Sequence, residues 1–461
     1  MFRSIVNTFV NCFKIPELKS RIIFTVVVLA VCRLTAYIHI PGLDATELNR
    51  AFDEAQRHGG GGPLGLLSAF SGGAIQNCAI GALTIIPYIS ATIIIQLLTA
   101  VVPQLSKMSR EEGGRAKIVQ YGRYLTLVLC LGQGLFTAIG YEHPEKVLQI
   151  QLTHPLVLYS AGWIWWYRIQ TTIVLTTATM LLMWLGEQIT DRGIGNGVSL
   201  IITINILSRL PNAWLGVRDM FLLGGAEAKG NIGHAIALLL LLAGVIAGIT
   251  AITQAQRKIP VTYAQRAVGR KVYSGGTNYM PLRVSYAGVM PIIFAQSILM
   301  FPQKIALFIG QGLNIKFFTD LAALLNEGGF LYIAIYSILI LFFSYFWVAT
   351  QFNELQIADD LKKNGGYIPG VRPGQATTDY LHNAMSRITF AGGIFLVIIS
   401  VIPIILGNEM HVPWSVSQFF GGTSMLIAVG VMLDTMRQME AHLLMRHYDG
   451  FLKKGRLKGR F

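Results

Sequence analysis

LGLLSAFSGGAIQNCAIGALTIIPYISATIIIQLLTA, residues 64–100, runs for 37 residues without one Lys, Arg, Asp or Glu. A transmembrane helix takes roughly 20 apolar residues, so the stretch is too long for one span. Ser71-Gly72-Gly73 and Pro87 interrupt it. It reads as a short apolar segment, a break, and then a true span. Within lipid a broken backbone is tolerated only where protein or a water-filled cavity lies beside it, so the break is expected to face an internal cavity that carries the function. A kinked structural helix with a Gly-rich turn is the alternative for this stretch taken alone.

Hydrophobic residues make up 53% of the 461-residue chain and charged residues 13%, against roughly 25% charged in soluble domains. Mean hydropathy of +0.54 agrees, and the class is integral membrane protein rather than globular enzyme. Met1 to Arg21 carries Arg3, Lys14, Lys19 and Arg21 with no small-residue cleavage site after it, so the first apolar run is expected to stay as a span. Cys12, Cys32, Cys78 and Cys130 form no CxxC and no Cys/His pair. They indicate neither a metal site nor a disulfide framework and read as small apolar fillers.

Working outward from the opening stretch, apolar runs recur near residues 22–38, 79–102, 121–141, 171–189, 197–210, 232–253, 284–309, 329–352, 387–407 and 415–436. That makes ten expected spans, with 64–75 as a short additional segment. Asp191 to Gly197 reads as a tight helix-to-helix turn. One alternate set of loops, with both termini, holds 27 Lys and Arg; the opposite set holds 9. The positive-inside rule then places both termini in the cytoplasm. Acidic residues number 11 on each side, so Lys and Arg alone carry the asymmetry.

The net charge of +14 is concentrated in three segments on that side. The loop at 254–283 carries Arg257, Lys258, Arg266, Arg270, Lys271 and Arg283 and no acid. The loop at 354–387 holds IPGVRPG, with Arg372 between Pro369-Gly370 and Pro373-Gly374, which stiffens its tip. The third is the tail, FLKKGRLKGRF. Either these are solvated basic loops, or they dock a large acidic partner such as a ribosome or an acidic cytosolic protein. On the other side, Gly59-Gly60-Gly61-Gly62-Pro63 is a flexible lead into the opening stretch.

Ionisable residues inside the apolar runs are few, among them Arg33, Glu187 near one end and Asp434 near another. Ion-coupled transport needs such groups near the midplane, which weighs against a secondary transporter. Arg33 is expected to be paired internally or to snorkel. No HExxH, GxSxG or P-loop is present, so the chain offers no site for an intramembrane protease or an ATPase. A purely structural scaffold would leave the broken apolar stretch and the basic segments unexplained.

Several stretches in order resemble the SecY family, the channel subunits of the bacterial Sec translocon. They are IPGLD at 40–44, FSGGAI at 70–75, IPYISATIIIQLLT at 86–99, MWLGEQITDRGIGNGVSLII at 183–202, YAGVMPIIFAQSILMFP at 286–302, ADDLKKNGGYIPGVRPG at 358–374 and FGGTSMLI at 420–427. The resemblance implies an all-α membrane protein with ten transmembrane helices in two pseudo-symmetric halves of five, an inverted repeat around a central pore for unfolded polypeptide. The halves would be 1–215 and 216–441, hinged between the fifth and sixth spans, followed by a basic tail at 442–461. Residues 64–75 would be a plug on the outer side, including Leu66, Leu67, Phe70, Ser71, Gly72 and Gly73.

The pore ring implied by the family falls on Ile85, Ile89, Val198, Ile202, Ile293 and Ile427. Ile85 with Ile89, Val198 with Ile202, and Val289 with Ile293 are each spaced i, i+4 and so share a helix face. Such faces are ordinarily lipid-facing or core; a narrow apolar ring excludes water and ions. The lateral gate would use Gln96 and Ser285. Gly122 and Ser285 stand where relatives often carry Thr and Asn, which thins that polar contact. TQAQRK at 253–258 departs from the family's more charged start. By the same resemblance, Arg257, Lys258, Arg266, Arg270, Lys271 and Arg372 would dock the ribosome and the SecA motor. SecE and SecG would complete the complex, and signal peptides, nascent chains and membrane lipid would be its other partners. No cofactor, metal or small-molecule substrate is implied, and the energy source would come from a partner.

Overall fold

The computed structural model describes residues 15–57, 71–111, 113–144, 155–159, 161–211, 214–215, 218, 232–263, 266–268, 271–273, 277–284, 286, 288, 290–312, 316–325, 329–409 and 423–454. Each of the ten apolar runs contains a helix. They are α1 (Pro16–Leu34), α3 (Ile86–Val101), α5 (Gly114–Glu142), α6 (Ile164–Arg192), α7 (Gly197–Leu207), α8 (Ile232–Gln254), α9 (Met290–Gly312), α11 (Phe330–Gln351), α13 (Gln375–Glu409) and α14 (Thr423–Lys454). Shorter helices are α2 (Ala45–Arg57), α4 (Pro103–Arg110), α10 (Lys316–Leu324) and α12 (Glu354–Lys363). Four helices among the described residues are long and apolar enough to cross a membrane, and the pair Ile86–Thr99 and Pro103–Ser109, bent by 103°, makes a fifth if counted as one span. The chain is therefore a multi-pass helical membrane protein.

Local chemistry accounts for the helix boundaries. Pro stands in the first turn of α1, α3 and α4, where its missing N–H costs nothing. Asn196 caps α7 by accepting from the Ser199 N–H at 3.2 Å, and Asn353 caps α12 by accepting from Gln356 N–H at 3.2 Å. Thr hydroxyls along α5 and α6 donate to the carbonyl four residues back, as Thr126 does to Gly122 and Thr179 to Leu175, so these hydroxyls are satisfied within their own helices and need no water.

The α5–α6 pair is fastened at both ends. Arg123 on α5 reaches Glu187 on α6 through two bonds of 3.1 and 2.7 Å, and Arg168 on α6 reaches Glu142 on α5 through bonds of 2.9 and 3.0 Å. Each arginine lies 19 positions from the glutamate on its own helix. At 1.5 Å per residue the two pairs bracket a band of about 28 Å, close to the roughly 30 Å hydrocarbon core of a bilayer. Trp163, Trp165 and Trp166 are exposed at one edge of this band, and Tyr121 and Tyr124 at the other, as interfacial aromatics are.

Two expectations need correction. The apolar run at 79–102 does not begin as helix: residues 72–85 are turns interrupted by one isolated bridge, His39 with Ala79, and α3 starts only at Ile86. The turns exist because the segment is stitched to the end of α1. Ile40 N–H donates to Cys78 O, Ile80 N–H to Ile38 O and Gly81 N–H to Thr35 O, each at 2.9 Å. The basic segment at 254–283 is not a loop but a β-structure. Strand β1 (Gln256–Tyr263) pairs antiparallel with β4 (Thr277–Arg283), and its end pairs with β5 (Gly366–Tyr367). A separate hairpin joins β2 (Arg266–Val268) to β3 (Lys271–Tyr273). Alternation holds over 258–261: Ile259 and Val261 are buried, Ile259 in a core with Leu282, Phe352, Ile368, Leu381 and Met385, while Lys258 and Pro260 between them are exposed; Arg257, before the alternation begins, is exposed as well.

Candidate functional site: an aliphatic neck

Pro87 and the preceding turns aim Ile85 and Ile89 into the centre of the molecule. Ile85 is the residue before α3, and Ile89 N–H donates to its carbonyl at 3.2 Å, so the i, i+4 pair shares one face although only Ile89 is within the helix. On α7, Ile202 is buried, and Val198 is half-buried one turn before it. Ile293 on α9 is 5% exposed and Ile427 on α14 is fully buried. Five of the six ring candidates belong to one apolar cluster, and Val198 packs against it. Val289 lies outside the described residues.

Close approach of the backbone makes this convergence possible. A Cβ on Gly197 would stand 1.9 Å from the carbonyl oxygen of Gly186, and one on Gly186 would meet side chains of Ile201, Ile85 and Val198 at 3.3 to 3.6 Å. The glycines at the α6–α7 junction therefore let α7 press onto α6 and bring Val198 to Ile85.

A cavity of about 30 Å³ opens beside the cluster, lined by Thr84, Ile85, Ile86, Ile89, Ile202, Asn205, Ile293, Gln296 and Ser297. Its lining holds no ionisable group. That size admits a water or two, and branched aliphatic side chains make up much of its wall. Buried Asn205 and Gln296 were not singled out in the sequence, although each is an amide inside an apolar run. That was the signal that could have found them.

Around the neck, the other candidates divide. Ser71, Gly72 and Gly73 are buried beside α1 and α7, whereas Leu66, Leu67 and Phe70, like the Gly59–Gly62 lead, lie outside the described residues. Arg33 is paired internally: its Nη2 donates to Gly72 O at 2.6 Å and its guanidinium lies 5.2 Å from the Tyr37 ring centroid. Gln96 is half-buried on α3, which packs against α9, and Ser285 lies outside the described residues. Gly122 is buried, with nothing within 4 Å of where a Cβ would stand. Cys32, Cys78 and Cys130 are free and buried.

At the basic end, the two loops are one surface. Pro369-Gly370 forms a turn closed by Val371 N–H donating to Ile368 O at 3.0 Å, with Gly370 at φ +83° as the third turn position demands. Ile368 is buried beneath the sheet, and Arg372 emerges exposed just beyond, its carbonyl held by the Thr377 hydroxyl at 2.9 Å. Arg270 lies outside the described residues, and Arg266 and Lys271 sit on the β2–β3 hairpin. The structure thus joins Arg257, Lys258 and Arg372 to one small sheet and its following turn.

The fold and this cluster define a polytopic helical membrane protein with a buried aliphatic core where its helices meet. A family model for SecY matches residues 79–436. The protein translocase subunit SecY of Chlamydia trachomatis is 42% identical over 453 residues, covering 97% of this chain and 98% of the relative. The chain belongs to the SecY family. Its fold matches a solved SecY described as having a plug domain that stabilises the closed channel and maintains a membrane seal (TM-score 0.61, 17% identity, 97% of this chain and 99% of that one). It also matches the channel of a canine ribosome–channel complex from the endoplasmic reticulum (TM-score 0.59, 17% identity, 97% and 99%).

Proposed function

We infer that this chain is the central protein-conducting channel subunit of a Sec translocon, passing unfolded secretory polypeptides across the membrane and releasing apolar segments sideways into lipid. The observation that carries this reading is the convergence of Ile85, Ile89, Ile202, Ile293 and Ile427 from four separated stretches into one buried cluster beside a cavity with no ionisable lining. Branched aliphatic chains suit such a channel, because when closed they exclude water and ions, and when displaced they pack around any peptide without demanding a sequence.

In this reading ten spans form two halves, 1–215 and 216–441, in the bacterial inner membrane with both termini cytoplasmic. The sheet with Arg257, Lys258 and Arg372 then faces the cytoplasm and docks the SecA motor or the ribosome, the latter in keeping with the fold match to a ribosome-bound channel. Residues 64–75 are the plug on the outer side, and α3 and α9 are the two sides of the lateral gate, with SecE and SecG completing the complex. The test is reconstitution of the chain with its partner subunits in vesicles with SecA and a secretory precursor. Arg372→Glu is expected to reduce translocation to background while the chain stays inserted and folded. Undiminished translocation would refute the docking role.

A further inference from the structure

Two successive N–H groups of the turn between α6 and α7 are taken up by distant helices. Ile194 N–H donates to Thr25 Oγ1 on α1 at 3.1 Å, and Gly195 N–H donates to Gln438 Oε1 on α14 at 3.0 Å. The Ile194 side chain is 3% exposed and packs with Leu18 and Ile22 of α1 and with Met439 and Leu443 of α14. Glycine flanks it because both neighbours approach closely. A Cβ on Gly193 would stand 2.5 Å from Thr25 Oγ1, and one on Gly195, which has φ +88°, would stand 3.1 Å from Thr435 Oγ1. Val198 and Ile202 of the neck lie in the first two turns of α7 beyond this wedge.

The same turn of α14 holds the root of the basic sheet. Arg437 Nη2 donates to Thr253 O in the last turn of α8, where carbonyls lack an intrahelical partner and a cation is favoured. Its Nη1 lies 3.9 Å from Asp434 Oδ1, and Asp434 Oδ2 stands 3.9 Å from where a Cβ of Gly288 would be, just ahead of α9. Between these two points the base of the sheet is closed by Val284 N–H donating to Ala255 O at 2.9 Å. On α14, residues 434 and 437 thus face the two stems of the sheet, and 435 and 438 face the α6–α7 turn, each pair spaced i, i+3. Adjacent side chains, Arg437 and Gln438, connect the sheet that follows α8 to the turn that leads into α7.

We propose that Arg437 and Gln438 are positioning residues, a cross-tie through α14 that transmits docking on the basic sheet to Val198 and Ile202 of the neck. This rests on the docking reading of Arg257, Lys258 and Arg372. The two bonds act in series, so cutting either has the whole effect and cutting both adds little, the signature of coupled rather than independent sites. Loss of one buried hydrogen bond shifts an equilibrium by about 10-fold, which is the scale expected for the translocation rate once the motor is bound.

The test uses the full chain in its complex in vesicles, with the SecA motor and a secretory precursor. Gln438→Leu and Arg437→Gln are each expected to lower the rate at saturating motor about 10-fold and to leave the motor concentration for half-maximal rate unchanged. Gln438→Glu, which keeps an acceptor for Gly195 N–H, is expected to stay near the wild-type rate. The double variant should fall within about twofold of either single one. A loss of about 100-fold in the double variant, the product of independent effects, would overturn the cross-tie, as would a change confined to the half-maximal concentration. A second measurement needs no partner: spin labels at Lys258→Cys on the sheet and Arg192→Cys on the turn, both exposed, with the native cysteines replaced by Ala. A narrow resting distance that broadens in Arg437→Gln and in Gln438→Leu supports the tie; a distribution unchanged in both overturns it. If Arg372→Glu leaves motor binding intact, the docking reading fails, and the spin-label distances still decide whether α14 ties the sheet to the turn.

Discussion

Replacing Ile293 by Ala tests the neck as a seal rather than as ordinary core. The side chain is 5% exposed and forms one wall of a cavity of about 30 Å³. The substitution deletes three carbons at about 0.8 kcal/mol each, roughly 2.4 kcal/mol of transfer energy, and the residual cavity takes the cost toward the 2–5 kcal/mol typical of Ile→Ala. The space grows by the volume of three methyl or methylene groups, enough to admit further water. Thr84, Asn205, Gln296 and Ser297 already border it, so the enlarged space gains water and polar partners together. Purified complex in planar bilayers is expected to leak ions at rest, more so when Ile89→Gly is combined with Ile293→Gly. Ile338→Ala, at a site 65% exposed on the apolar exterior, serves as control and should remain tight. Loss of stability in Ile293→Ala without any change in conductance would refute the seal.

Three further outcomes are expected. Gly197→Ala drives a Cβ into the Gly186 carbonyl, a backbone contact that cannot rotate away; a loss of about 3 kcal/mol or more should appear as a lowered thermal midpoint, and an unchanged midpoint would contradict the packing. Gly122→Ala meets nothing within 4 Å and removes a glycine from a helix interior, so it should stabilise by about 0.5–1 kcal/mol; destabilisation in thermal unfolding would count against it. Asp44 caps α2, accepting from the hydroxyl and N–H of Thr46, and these bonds hold its carboxyl below the usual range. Because the folded pKa is depressed, the contribution is complete above the ordinary carboxylate range and fades as pH falls through the lowered value. Amide-exchange protection of residues 45–57 should follow that sign, and Asp44→Asn should flatten the dependence.

The helices were legible in the apolar runs, each of which carries one, and four of them, or five with the bent pair, are long and apolar enough among the described residues to cross a membrane. The turn segment was not: apolar composition at 79–85 is the same whether residues coil into a helix or hydrogen-bond to Thr35, Ile38 and Ile40, and that choice depends on partners some forty positions away. Strand β1 was obscured by Pro260, which demotes a strand reading. The structure tolerates it because β5 pairs only at Thr262 and Tyr263, leaving that edge open at Pro260. The ring candidates could be paired within a helix by spacing, but that Ile85, Ile89, Ile202 and Ile293 line one cavity and share a core cluster with Ile427 is a long-range fact that periodicity does not supply. The two basic loops looked independent for the same reason, until β1 joined them.

The most direct test of the channel itself places a photo-crosslinking amino acid, one position at a time, at Ile89, Ile202 and Ile293, with Ile338 and Phe390, 65% and 50% exposed on the apolar exterior, as controls. With a secretory chain stalled in transit, adducts to that chain are expected at the three neck positions, only while it is engaged, and not at the two controls. Adducts absent from the neck, or equally frequent at the exterior positions, would contradict passage of the polypeptide through this constriction.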